Sequence, residues 1–290
     1  MRILVTGGAG LIGSNLCKSL LLDEHHVFCV DNFTSGTFNN IESYIDNDRF
    51  TLLNLNTVDK IPDFKIDQIY NLASPTAPGH FKADPISTIT SNIIGTINLL
   101  KEAHIQNIKV VHVSSIRTME RNDTFNDNAC YIESKRCSET ICYEYRKLGV
   151  DVKVARLFNV YGSNMVSDDS RVIPHFIRTA LNGNDITIFG DGSQMDSFCY
   201  VDDIVEGLKT LMNLDISVVN LGSKEFISIF DLANLIIKIT NSRSKVVMIK
   251  NTEKCNTREK ITINHIDGWE PSISLSTGLN KYIESMKKIQ

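Results

Sequence analysis

Along roughly the first half of the chain, short apolar runs alternate with longer stretches whose apolar residues recur at helical spacing. Apolar runs of four to eight residues rich in Val and Ile read as strands, and a recurrence near every 3.6 residues reads as helix. The pattern predicts strands over 3–6, 27–30, 50–53, 68–72, 109–114 and 152–158, and helices over 11–22, 86–104 and 129–148. Beyond Gly162 it loosens into helices over 172–181, 201–212 and 229–240, with short strands near 186–189, 218–221 and 245–249. Strand–helix alternation argues for an α/β protein whose parallel sheet is covered by helices on both faces. No internal repeat, low-complexity tract or flexible linker separates the two halves, so the second domain is expected to be woven into the first.

Composition narrows the function classes. The chain has 290 residues, 42% of them hydrophobic, with a formal net charge of −4. That is enough apolar material for a sizeable core, and no basic tract offers an electrostatic footprint for nucleic acid. The seven cysteines form no CxxC pair and are odd in number, which argues against both zinc and a disulfide framework. Met1-Arg2-Ile3-Leu4-Val5 already reads as a core strand, and no apolar run is long enough to span a bilayer. The expectation is a cytoplasmic protein with no membrane partner and no metal.

The strongest local motif is Thr6-Gly7-Gly8-Ala9-Gly10-Leu11-Ile12-Gly13, which follows an apolar strand and opens a helix. Its frame is Gly7, Gly10 and Gly13. Glycines there serve the tight turn, the close approach of backbone N–H groups to a pyrophosphate, and helix–strand packing. The pyrophosphate then lies at the positive end of the helix dipole. Asp31 ends the next strand, 18 positions after Gly13, where a ribose-binding acid belongs. Its carboxylate repels a 2′-phosphate, and no Lys or Arg lies between Asn32 and Asp48, so NAD is favoured over NADP. The fold expected is a Rossmann doubly wound parallel sheet with a smaller, interwoven C-terminal α/β substrate domain. Residues 1–162 form the NAD-binding part, completed by segments near 198–222, and residues 163–290 bind substrate.

A second constellation supplies chemistry. Tyr131 and Lys135 stand four residues apart in a predicted helix, on one face, and Ser115 ends the preceding strand. A tyrosine ordinarily ionises near 10. A neighbouring ammonium and the positive nicotinamide ring favour the phenolate, which can take a sugar hydroxyl proton while hydride leaves the same carbon for NAD. Ser115 is expected to hold the substrate oxygen.

The chain resembles the extended short-chain dehydrogenase/reductase family of nucleotide-sugar epimerases, dehydratases and decarboxylases. The matching stretches are VTGGAGLIGSNL, VDNFTSG, IYNLASPTAP, SNIIGTINLL, ACYIESKR, VARLFNVYG, SRVIPHFI, FGDGSQ and GWEPSISLSTGL. They span nearly the whole chain, and the NLASP stretch points to the branch that decarboxylates UDP-glucuronate. The resemblance implies that Leu11, Ile12, Leu72, Ala73 and Asn92 contact the cofactor. It places Asn32, Ser35 and Gly36 on the adenosine side and Asn56 near the adenine. It further implies that Ser74, Asn159, Arg171, Phe189, Gln194 and Arg258 contact a nucleotide-diphosphate sugar. A homodimer through the two long helices is also implied.

The chain departs from this pattern at the sugar end. Decarboxylases carry Ser-Thr-Ser-Glu at the end of strand five, whereas here the run is Ser114-Ser115-Ile116-Arg117. Only 16 positions separate Ser115 from Tyr131, a short loop for the family. Asp196 replaces an arginine of the family's SQTRxF run, and the late segment reads Arg258-Glu259-Lys260-Ile261. Three readings of Arg117 stay open: it binds the substrate anion, it pairs with Asp196, or it lies on a solvated loop. Three functions stay open as well. These are C4 oxidation and reduction leading to decarboxylation, a simpler 4-epimerase or 4-ketoreductase, and an NAD-binding scaffold impaired in catalysis.

Overall fold

The computed structural model describes residues 1–60, 62, 64–120, 126–166, 169–250, 262–264 and 266–287. The chain opens with β1 (Arg2–Thr6), α1 (Leu11–Leu22), β2 (His26–Asp31), β3 (Phe50–Asn54) and β4 (Gln68–Asn71). Two short helices follow, α2 (Pro78–Ala83) and α3 (Pro85–Thr90), then a π-helical turn (Ser91–Gly95) and α4 (Thr96–Gln106). Next come β5 (Lys109–Ser115), α5 (Ala129–Lys147), β6 (Val152–Leu157) and β7 (Asn159–Tyr161). The later half adds α6 (Val172–Leu181), β8 (Ile186–Phe189), β9 (Met195–Tyr200), α7 (Val201–Met212) and β10 (Val218–Leu221). It finishes with β11 (Phe226–Ser228), α8 (Ile229–Thr240), β12 (Val246–Ile249) and α9 (Leu275–Lys287).

Seven strands form one sheet in the order β10-β6-β5-β4-β1-β2-β3, every pair parallel. This is the doubly wound α/β arrangement. Alternate residues of β1 explain why both faces are covered. Ile3 and Val5 enter a core with Leu16, Leu20 and Val111, while Leu4 enters another with Ile69, Leu99 and Val152. A strand buried on both faces reads as a continuous apolar run, as β1 does. Burying a leucine such as Leu16 contributes about 1.5–3 kcal/mol.

The chain reverses direction across the sheet between β1 and β4, and the loops leaving these strands diverge there. Ligands of open α/β sheets bind at this switch point, outside the carboxyl ends of the strands. Gly7 sits at the crossing with φ +69°, and a Cβ on it would lie 2.9 Å from the Ala73 nitrogen. No other residue type fits there without moving the β4 loop.

Three expectations need correction. The helix predicted over 86–104 is interrupted by the π-helical turn, where Gly95 packs directly against Thr57. The strand predicted over 152–158 is β6, but a further strand not expected, β7, follows it at once and joins a three-stranded sheet with β9 and β11. Neither β9 nor α9 was predicted. β9 lies buried beside β7, and the run Met195–Tyr200 mixes polar with apolar residues, so it carries no clean period. The segment 251–261, with Arg258 and Cys255, lies outside the described residues. Of the other cysteines, all six are free thiols. Among the described residues no cluster fits a metal and no helix is long and apolar enough to cross a membrane.

Candidate active site

A single groove of about 1170 Å³ runs over the carboxyl ends of the strands. At one end lie Gly7, Gly10, Leu11, Ile12, Gly13, Asp31, Asn32, Ser35, Gly36 and Asn56. Leu72, Ala73 and Ser74 lie along it, and Ser115, Arg117, Tyr131, Lys135, Asn159, Arg171, Phe189 and Gln194 line the rest. The volume exceeds the usual small-ligand cleft and is ample for two ligands end to end.

The dinucleotide end is built from backbone. Helix α1 begins at Gly10 with no side-chain cap, leaving its first N–H groups facing the groove as an anion site. Gly13 lies so close to the Gly7 carbonyl that any side chain there would collide with it. Asp31 fixes the turn: its carboxylate accepts from the Ala9 nitrogen and the Phe33 nitrogen, both at 2.8 Å. Burial raises its pKa, opposed by these backbone donors. The Ser74 hydroxyl is buried on the groove wall without a protein partner. An uncapped helix start and a glycine cradle together fit a dinucleotide pyrophosphate.

Behind the groove runs a buried polar strap. Thr6 donates to the Asn71 side chain and accepts from the Leu72 and Ala73 nitrogens. Asn71 donates to His112 Nδ1 at 3.0 Å, and His112 Nε2 meets Ser138 Oγ at 2.9 Å. Ser138 in turn donates to the Lys135 carbonyl. This assignment puts the imidazole proton on Nε2, and burial keeps the ring neutral by lowering its pKa well below the ordinary value. The strap thereby ties the glycine turn to the helix that carries Tyr131.

At the other end Tyr131 and Ser115 meet. Both line the groove, the Ser115 hydroxyl lowers the phenol's pKa against burial, and Phe81 of α2 stacks on the phenol ring at 5.2 Å. The expectation about the phenol's charge is corrected here. Burial raises its pKa, and the opposing influences are Ser115, Arg117 and Arg171. Lys135, expected as one of two cations beside the phenol, donates to the Val113 carbonyl at 2.8 Å. Only 2% of it is exposed, and burial pulls its pKa down to about 8 while Glu139 pushes it up. Desolvation wins for both groups because neither charged form has water around it. The phenol is thus protonated in the free protein at neutral pH.

Asn92 is the second correction. It is 1% exposed and does not line the groove; its amide donates to Ser134 Oγ at 2.9 Å behind the wall. The π-helical turn rotates it inward and leaves Ser91 on the groove side. The third concerns Arg117: among the described residues it makes no ion pair with Asp196, whose carboxylate accepts from Gln194. Phe189 is 71% exposed at the groove rim, not core. Asn159 donates to the Ser197 carbonyl, and Arg171 is clamped on Asp169 through Nε and Nη2.

Sequence reasoning missed Phe81, Asp169 and Glu139. Glu139 accepts from Ser114, Thr118 and Arg156. One signal was available: Ala77-Pro78 is a helix start, with proline in the first turn, and it opens the short helix that carries Phe81.

The sequence matches the NAD-dependent epimerase/dehydratase family over residues 3–222. It is 40% identical to UDP-glucuronic acid decarboxylase 1 of Danio rerio, covering 98% of this chain and 72% of that protein. It is 35% identical to UDP-glucuronic acid decarboxylase 6 of Arabidopsis thaliana, covering 96% and 87%. Among solved structures, the UDP-glucuronic acid 4-epimerase of Bacillus cereus, in complex with UDP-glucuronic acid and NAD, superposes with a TM-score of 0.85 at 29% identity, covering all of both chains. The UDP-glucose 4-epimerase of Thermotoga maritima gives 0.87 at 26% identity, covering 100% and 99%. The family match covers well over half of the chain, and with the glycine cradle and the Ser115–Tyr131 pair in one groove, it establishes that the chain belongs to the NAD-dependent epimerase/dehydratase family.

Proposed function

We propose that this chain is a nucleotide-sugar enzyme that works through oxidation and re-reduction at C4, with UDP-glucuronate decarboxylation as its reaction. One observation carries the reading: Ser115 at the end of β5 and Tyr131 in the first turn of α5 line the same groove as the glycine cradle. The names of the relatives from Danio rerio and Arabidopsis thaliana support the choice of reaction.

Gly7, Gly10, Leu11, Ile12, Gly13 and Asp31 would hold NAD, which when bound supplies an acceptor for the C4 hydride and a positive ring. Tyr131 holds a proton in the free protein; once added positive charge, with Arg117 and Arg171, lowers its pKa, the phenol releases that proton to solvent and the phenolate then receives the C4 hydroxyl proton. Ser115 holds the C4 oxygen. Lys135 fixes the helix at the strand end and contributes its charge to the site. Loss of CO2 from a carboxylate β to a C4 ketone leaves its electrons on that oxygen, where Ser115 and Tyr131 stabilise them. Asn159, Arg171, Gln194 and Phe189 take the remainder of the nucleotide sugar.

A second reading, 4-epimerisation, is favoured by Arg117 standing where the decarboxylases have an acid, and it needs only Ser115, Tyr131 and Lys135. Incubation with UDP-glucuronate and NAD, analysed by mass and NMR, separates the two. Loss of CO2 supports decarboxylation, inversion without mass change supports epimerisation, and an unchanged sugar contradicts both. We also read the chain as a cytoplasmic homodimer. The exposed Ile94, Ile105 and Tyr143 on the long helices support the dimer, to be checked by sedimentation, and the free thiols support the location.

A further inference from the structure

We propose that Arg117 selects a sugar bearing a carboxylate on the ring carbon next to the one that reacts, an assignment that rests on the nucleotide-sugar reading above. The residue is held firmly. Its backbone nitrogen donates to Ser115 Oγ at 3.3 Å. Thr118 donates to the Ser115 carbonyl and to Glu139. Arg136 clamps the Thr118 and Glu120 carbonyls at 3.1 and 2.9 Å. The turn from Ile116 to Met119 is therefore pinned from both sides, while the half-buried Arg117 lines the groove.

Four Lys and Arg side chains line the groove, and three are committed: Lys82 pairs with Asp127 at 3.1 Å. Lys135 is spent on the Val113 carbonyl, and Arg171 holds Asp169 through Nε and Nη2. Among the described residues no carboxylate pairs with Arg117, which follows Ser115 by two residues and lines the same groove as the Tyr131 phenol. A half-buried guanidinium whose side chain makes no hydrogen bond among the described residues is matched by a planar two-oxygen anion.

Ring geometry says which anion. The phenol and Ser115 mark the C4 oxygen in the proposed reading. On a pyranose the C5 substituent is adjacent to C4, whereas C1, which carries the diphosphate, lies across the ring. A cation that lines the groove two residues beyond Ser115 therefore faces the C5 carboxylate. A sugar with a neutral hydroxymethyl group at C5 gains far less from it.

Calorimetric titration of the NAD-loaded protein with UDP-glucuronate, UDP-glucose and UDP tests this. The wild type should bind UDP-glucuronate about 10–100-fold more tightly than UDP-glucose, the range for a charge-assisted pair. Arg117→Gln should erase that preference, leaving the affinity for UDP unchanged within about twofold, and Arg117→Lys should keep part of it, because a point charge lacks the fork geometry. Equal wild-type affinity for the two sugars overturns the assignment while leaving the nucleotide-sugar reading standing. So does a glutamine variant that keeps the preference, or one that weakens UDP as much as UDP-glucuronate. A wild type that binds none of the three overturns the nucleotide-sugar reading itself.

Discussion

The two ends of the groove are built by different means. At the dinucleotide end the surface is mostly backbone, shaped by Gly7, Gly10 and Gly13 and tied by Asp31 to the Ala9 and Phe33 nitrogens. At the sugar end it is side chain: Tyr131 stacked on Phe81, Arg171 on Asp169, and Arg117 without an acid partner among the described residues. A backbone surface tolerates almost no change, because a single added methyl collides with main chain. A side-chain surface can change its charge and leave the fold intact. Arg117 and Asp196 stand at the end free to vary.

Substitutions at the two ends should therefore fail differently. The largest effect on turnover is expected from Tyr131→Phe, which removes the phenol but keeps the ring stacked on Phe81. Turnover should fall about 10²–10⁴-fold with NAD affinity unchanged by titration. Loss of NAD binding in this variant would erase the division between the ends. Gly7→Ala should do the reverse. Its φ of +69° and the 2.9 Å approach to Ala73 should cost about 1–3 kcal/mol of stability, read as a lower denaturation midpoint, together with weaker NAD binding. Asp31→Ala should weaken NAD by about tenfold or more, the worth of a charged hydrogen-bond acceptor, and narrow the preference over NADP. An unchanged ratio of the two affinities would remove the ribose role from Asp31.

The smallest effect is one of pH. Burial lowers Lys135 to about 8, so the rate should decline as pH rises past that value and the ammonium discharges. Glu139 opposes this lowering, so Glu139→Gln should start the decline at lower pH. A limb that stays in place would free Lys135 from any charge role. Stability follows the opposite sign. Between about 8 and the ordinary 10.5 the unfolded chain holds the lysine proton more tightly than the folded one, so this group's contribution to stability rises with pH across that window.

The same division governs what could be read from sequence. Backbone surfaces need glycines at fixed spacing, so the turn from Gly7 to Gly13, Asp31 and the sheet around them were legible residue by residue. Tyr131, Lys135 and Ser115 were legible too, since helix spacing and a strand end place them. What Lys135 touches was not, because a pair four apart on a helix specifies a face and not a partner; the Val113 carbonyl arrives from β5. Asn92 was misplaced for a similar reason. A π-helical turn shifts every side chain by a fraction of a turn, and Ser91-Asn92-Ile93-Ile94-Gly95 carries no mark of it beyond the small residue against Thr57. Strand β9 escaped because it lies between strands of a small mixed sheet, where burial does not impose alternation.

The account stands on the phenol at 131 exchanging a proton with the carbon oxygen that loses hydride. Rapid mixing of NAD-loaded protein with UDP-glucuronate, followed by reduced-nicotinamide absorbance in a single turnover, measures that step alone. The account predicts reduction in the wild type and a rate at least about 100-fold slower in Tyr131→Phe. Reduction at the wild-type rate in that variant, or none in the wild type, would contradict it.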